Sequence, residues 1–240
     1  MRIDSIDKLE SKIAGAETFR IKNNRPFITV SYAQSVDGSI ATRSRQPIRL
    51  SGQESMVLTH QIRACSDAVL IGIGTLLADD PRLDVRLVEG SNPQPIILDT
   101  HLRTPINAGL VKRPDTRPWI INAETEPSGQ ALVLQDAGST PIYCATSTDG
   151  KIDLIALMTI LAERKINSIM VEGGARVITS FVNSRLVDQL IVTVSPRFVG
   201  GLQVIDSDGL QFKTHLKLIE VSYRPMGDDV VIWARPKWPE

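Results

Sequence analysis

Residues 68–74 form an uninterrupted apolar run, Ala-Val-Leu-Ile-Gly-Ile-Gly. The run is too short for a helix and too apolar for a strand with one wet face, so it predicts a strand covered on both sides. Such a strand needs helices above and below it, and the flanking sequence supplies them. Leu58, Ile62 and Cys65 recur on one helical face behind Ser51 and Glu54, whose spacing reads as a capping box. Leu154, Leu157, Met158 and Leu161 mark another amphipathic helix. Short apolar runs at 27–32, opened by Pro26, and at 96–99, 119–121, 142–144 and 168–172 predict further strands. Alternating strands and helices define an α/β fold around a parallel sheet. Runs at 190–194, 216–221 and 230–234 have no helical pattern between them and predict antiparallel strands at one sheet edge. Residues 1–25 are expected to be an N-terminal appendage, and 26–240 a single domain.

Lys plus Arg and Asp plus Glu number 27 each, so net charge does not favour nucleic acid or an anionic membrane as a partner. Any anion site must be local. Cys65 and Cys144 lack Cys-x-x-Cys spacing or nearby histidines, which fits reduced thiols better than a disulfide or zinc site. No apolar run approaches the ~18 residues of a membrane span, and a cytoplasmic location is expected. His60, His101 and His215 show no metal spacing and read as surface or helix-end residues.

Ligands of open α/β sheets bind at strand ends, and polar residues gather there in this sequence. The strand 168–172 runs through Gly173 and Gly174 into a helix. The glycines either allow a tight turn or bring helix N–H groups up to an anion such as phosphate. Glu172 ends an otherwise apolar strand, so it either faces a cleft and ligand hydroxyls or pairs with Arg176 or a neighbouring helix. Gly72, Gly74 and Thr75, followed by Asp79, Asp80 and Pro81, lack the third glycine of a dinucleotide fingerprint. Thr75 can bind phosphate or cap a helix; Asp79 and Asp80 can bind a ribose or end a turn. Arg63 and Arg86 are either surface residues or the two sides of a phosphate clamp. Ala33, Ser35, Asp37 and Gly38 close the first strand with small residues that admit a flat ring, and Asp99, Thr100, Arg103 and Pro105 close another.

Six motifs in register resemble the reductase domain of riboflavin biosynthesis. They are Ala33-x-Ser35-x-Asp37-Gly38; Ile62-Arg63-Ala64; Gly74-Thr75 through Asp79-Asp80-Pro81 to Leu83 and Arg86; Asp99-Thr100-x-x-Arg103-x-Pro105; Val171-Glu172-Gly173-Gly174; and Leu186-Val187-Asp188. The resemblance implies a three-layer dihydrofolate-reductase-like fold with a central mixed, mostly parallel sheet, and a homodimer. It implies an NADPH-dependent reduction of the ribose C1′ of a phosphorylated ribosylaminopyrimidine. Ala33, Thr75, Asp79, Thr100 and the stretch Gly174, Ala175, Arg176, Val177, Ile178, Thr179 and Ser180 would then contact NADPH. Arg63, Leu83, Arg86 and Glu172 would contact substrate, with Arg63 and Arg86 on its phosphate and Glu172 beside the ribose as the catalytic group.

Three positions depart from the family pattern: Ser31 stands where bacterial two-domain members carry lysine, Asp84 where threonine is frequent, and Arg49 where some members have tryptophan. No zinc-deaminase signature accompanies the reductase motifs. The sequence is therefore similar to the stand-alone reductases, which reduce the diamino-pyrimidinone before deamination, although the three departures leave the base, diamino-pyrimidinone or amino-uracil, open. Two alternatives stay open: a same-fold NADPH reductase of another pterin or pyrimidine metabolite, and a catalytically silent nucleotide-binding dimer.

Overall fold

The computed structural model describes residues 4–124, 128–205, 209–211 and 215–238. Its centre is a nine-stranded mixed sheet. In chain order the strands are β1 (Phe27–Ser35), β3 (Ala68–Gly72), β4 (Gln94–Leu98), β5 (Trp119–Asn122), β6 (Thr140–Tyr143), β7 (Ser168–Gly173), β8 (Gln189–Ser195), β10 (Lys217–Met226) and β11 (Asp229–Lys237). Two short strands, β2 (Ser39–Ala41) and β9 (Leu202–Gln203), pair with each other beside it. Across the main sheet the order is β10-β11-β8-β1-β7-β3-β4-β5-β6. The seven strands from β8 to β6 are parallel, and the β10–β11 hairpin adds the antiparallel edge. The run at 190–194 was expected to be antiparallel; β8 instead lies parallel to β1 and is antiparallel only to β11, because the sheet changes sense there.

Alternation along the strands divides the core into two layers. Val69, Ile71, Ile97 and Ile120 point to one face, where Leu58 and Ile62 of α3 (Gln53–Cys65) and Leu134 of α5 (Gly129–Asp136) cover them. Leu70, Ile96 and Ile121 point to the other, under Leu157 and Leu161 of α6 (Leu154–Glu163) and Ile178 and Phe181 of α7 (Ala175–Asn183). Alternating side chains that all end in apolar layers leave no polar face on the central strands, which is why the sequence run from Ala68 is unbroken.

The expected appendage is two helices, α1 (Asp4–Ala14) and α2 (Ala16–Asn23), whose Ile6, Leu9 and Ala16 are buried in the first core layer. The segment is thus packed onto the domain rather than hanging from it. The capping box is corrected as well: Gly52 is the N-cap of α3, with no side-chain cap. Asp229, from the start of β11, accepts a hydrogen bond from Gly52 N–H at 2.8 Å and another from the Ser55 hydroxyl. A carboxylate distant in sequence thus fastens the start of the helix where a local cap was expected. Helix α5 has no counterpart in the sequence expectations. It exposes Leu132 and Val133, so its apolar residues mark no single face.

Candidate active site

Parallel strands β1, β3, β4 and β7 end on the same side, and a cleft of 530 Å³ opens over their C-terminal ends. Two helices begin at its floor. One is α4 (Ile73–Asp79), which leaves β3 at Gly72; the other is α7, which leaves β7 through Gly174. Gly174 adopts φ +86°, a left-handed conformation suited to glycine, and as the N-cap of α7 it brings no side chain to the first turn. The N-terminal N–H groups and the positive dipole end of α7 therefore face the cleft. Gly74 also lines it, and a Cβ at that position would meet nothing within 4 Å. A ligand can approach this backbone closely.

Most of the proposed nucleotide residues meet here. Ala33 lines the cleft from β1, Thr75 and Asp79 from α4, and Thr100 from the end of β4. Gly174, Ala175, Arg176, Val177, Ile178 and Ser180 line it along α7. Thr179 does not; it is buried within the protein. Tyr32, Arg45, Arg103 and Lys151 complete the wall. Burial pushes the Tyr32 hydroxyl up to about 12, so it is a neutral donor at physiological pH. The sequence reading had no signal for Tyr32 or Arg45. Lys151 follows an Asp149-Gly150 turn, which marks a loop but not its destination.

Glu172 lies where β7 departs from regular pairing. Leu70 pairs with Val171 and Ile71 with Gly173, so Glu172 is the extra residue of a bulge on the β3 side. Bulges re-aim side chains. The carboxylate lines the cleft and accepts two hydrogen bonds from Arg63, Nε to Oε1 at 2.5 Å and Nη2 to Oε2 at 2.6 Å. Arg63 Nη1 donates to the Asp84 carbonyl at 3.0 Å. Burial disfavours the Arg63 charge, but the Glu172 carboxylate outweighs it and raises the pKa of the guanidinium above its ordinary value.

The expected clamp of Arg63 and Arg86 is not assembled as one. Arg63 is buried on Glu172, while Arg86 hydrogen-bonds to Asp84 with its side chain 44% exposed. The partner of Glu172 is Arg63 on the neighbouring helix α3, one of the two pairings the sequence left open. Leu83 is buried in the core with φ +49°, shaping the loop from within. His60, expected at the surface or at a helix end, is fully buried within α3, with Nδ1 accepting the Arg86 backbone N–H at 3.2 Å.

Other motif residues are architectural. Asp37 accepts hydrogen bonds from Ser35, Ser39 and the N–H groups of Val199 and Gly200, between 2.6 and 2.9 Å. This set holds its carboxyl well below the usual range. Asp37 thereby ties the end of β1 to the segment before β9, and Ile40, Ala41 and Leu202 of the tied strands form one cleft wall. Asp80 receives the Gly109 N–H at 2.9 Å. Asp99 is buried and binds the Thr104 N–H and hydroxyl at 2.7 and 2.8 Å. Asp188 binds Arg25 through both oxygens and also accepts the Ile28 N–H. Cys65 and Cys144 are unpaired thiols, each pushed up to about 11 by burial. Among the described residues, no group of three or more His, Cys, Asp or Glu could hold a metal, and no helix is long and apolar enough to cross a membrane.

Residues 26–232 match the family described as the RibD C-terminal domain. The chain belongs to that family. Among RibD-type relatives, a 2,5-diamino-6-ribosylamino-4(3H)-pyrimidinone 5′-phosphate reductase of Archaeoglobus fulgidus is 30% identical, over 88% of this chain and 98% of its own. The enzyme of the same name from Debaryomyces hansenii is 34% identical over 89% of this chain and 90% of its own. Among solved structures, the riboflavin biosynthesis reductase Rib7 of Saccharomyces cerevisiae has TM-score 0.70 and 29% identity, covering 89% of this chain and 91% of that one. RibD of Acinetobacter baumannii shares the fold, with TM-score 0.76 and 22% identity; this chain covers 60% of that longer protein.

Proposed function

We propose that the protein is an NADPH-dependent reductase of riboflavin biosynthesis, reducing the ribosyl C1′ of 2,5-diamino-6-(5-phosphoribosylamino)pyrimidin-4(3H)-one to the ribityl product. The observation that carries this reading is the joining of a glycine-led α7 N-terminus and a bulge-borne carboxylate, Glu172, in one cleft at the sheet's C-terminal edge. Relatives that match this chain over nearly their whole length bear the diamino-pyrimidinone name, which favours that substrate over the 5-amino-uracil analogue.

The cleft residues fit a nicotinamide dinucleotide. The first turn of α7, from Gly174 through Ala175, Arg176 and Val177, would hold the pyrophosphate. Ala33 leaves room for the flat nicotinamide, and Thr75, Asp79 and Thr100 offer polar groups to the riboses and phosphates. The cofactor would supply the hydride that C1′ receives as the C1′–O4′ bond of the ribose opens, the released O4′ taking up a proton from solvent. Glu172, its geometry set by Arg63, would accept hydrogen bonds from substrate ribose hydroxyls and so fix C1′. Arg86 would border the substrate on its phosphate, with Leu83 packed beneath the loop that presents it. The same proposal includes a cytoplasmic homodimer, for which β10, an edge strand exposing Tyr223, offers surface.

The test is oxidation of NADPH, followed at its absorbance band, with the diamino-pyrimidinone phosphate and the amino-uracil phosphate offered separately. Turnover of the diamino compound is expected. Nucleotide binding with no turnover of either compound would overturn the assignment.

A further inference from the structure

In the loop after α4, Arg82, Asp84 and Arg86 alternate in charge, and the two arginines close on the carboxylate between them. Arg82 Nη2 lies 2.8 Å from Asp84 Oδ2, and Arg86 Nη1 donates to Oδ1. The exposures are unequal. The Asp84 side chain is 10% exposed, whereas Arg86 is 44% and Arg82 74% exposed, so the carboxylate forms the floor and the guanidinium groups the open rim.

Three backbone anchors hold the floor in place. Arg63 donates to the Asp84 carbonyl, the Val85 N–H reaches Asn92 Oδ1 at 2.7 Å, and the Arg86 N–H reaches His60. Burial alone would raise the Asp84 pKa, but the Arg86 hydrogen bond and the charges of Arg86 and Arg82 keep it below the ordinary value. Two convergent guanidinium groups form a site for a phosphate monoester, yet here an anion built into the chain already engages both.

We propose that Asp84 is a specificity-determining residue: its carboxylate is an internal competitor that a substrate phosphate must displace from Arg82 and Arg86. The site then binds a dianionic phosphate more weakly than its arginines alone would, and rejects anions too weak to displace the carboxylate. This inference rests on the reading that Arg86 meets the substrate phosphate.

The experiment compares the unaltered protein with Asp84→Asn and Asp84→Thr, two replacements that remove the charge and retain a polar group. Binding of inorganic phosphate is measured by calorimetry, and KM and kcat for the phosphorylated pyrimidine by NADPH oxidation. Both variants are expected to bind phosphate about tenfold more tightly, the size of one charge-assisted contact. The kinetic change should fall mainly on KM, and adding Arg86→Ala should erase the gain. Unchanged or weaker phosphate binding in variants that melt cooperatively would overturn the proposal, even with normal turnover. Tighter phosphate binding with no turnover of either pyrimidine would sustain it while removing the proposed activity.

Discussion

Arg63 and Glu172 meet through two parallel hydrogen bonds, with side chains 10% and 13% exposed, so each buried charge depends on the other. Removing one partner strands the other. Arg63→Ala should lower stability by about 3–5 kcal/mol and suppress turnover. Arg63→Met combined with Glu172→Gln should cost clearly less than the sum of the single changes, measured by urea unfolding. Additive losses would show that the two side chains are not coupled.

His60 gives a pH dependence. Burial, then the charges of Arg63 and Arg86, depress its pKa below 6.5, with Asp84 and Glu172 offsetting part of the effect. The unfolded chain therefore takes up the proton first as pH falls, and stability declines from about pH 6.5 down to the folded-state pKa. In His60→Asn an amide oxygen can replace Nδ1 as acceptor without titrating. That variant should show a flatter stability profile as pH falls below about 6.5, whatever its absolute stability. An unchanged slope would exclude His60 as the source.

Gly174 holds φ +86°, and a Cβ there would come within 3.1 Å of Thr75 Oγ1. Gly174→Ala should cost about 1–2 kcal/mol from backbone strain. Because the same peptide opens α7 onto the cleft, affinity for NADPH should fall too, as followed by cofactor fluorescence. Loss of stability with full affinity would place the nucleotide elsewhere.

Asp37→Ala removes the acceptor that joins β1 to the 199–200 segment. Amide exchange at Val199 and Gly200 should accelerate, and KM for the nucleotide should rise as the Ile40–Leu202 wall loosens. Asp37→Asn, which keeps one acceptor oxygen, should fall between. Unaltered exchange in the alanine variant would show that the tie is redundant.

The legible parts of the molecule were those governed by local pattern. Central strands such as β3 and β7 announce themselves because both faces are buried, and α6 and α7 because one apolar face is. The Gly173–Gly174 junction was legible because few residues other than glycine take a positive φ. Long-range partners were not. Nothing near Ser51 shows that Asp229 will serve the start of α3, and nothing near Arg63 shows that its target is Glu172. The bulge that aims Glu172 exists only in pairing with β3, and His60 looked like a surface residue because its partner is the Arg86 backbone across a loop.

The position of β7 bears on how the chain reaches this state. It is synthesised after β1, β3, β4, β5 and β6, yet it lies between β1 and β3 and pairs with both. Until Ser168–Gly173 leaves the ribosome, the two earliest large strands have a vacant lane between them and expose unpaired backbone on facing edges. The sheet cannot zip up from its N-terminus; it must wait for a late insertion that joins β1 to the earlier β3–β6 flank. Such non-local closure slows folding and leaves open edges vulnerable to other chains. Since the same strand carries Glu172 and leads into Gly174, the chain acquires its proposed chemistry in the step that closes the gap between β1 and β3, before β8, β11 and β10 extend the far side.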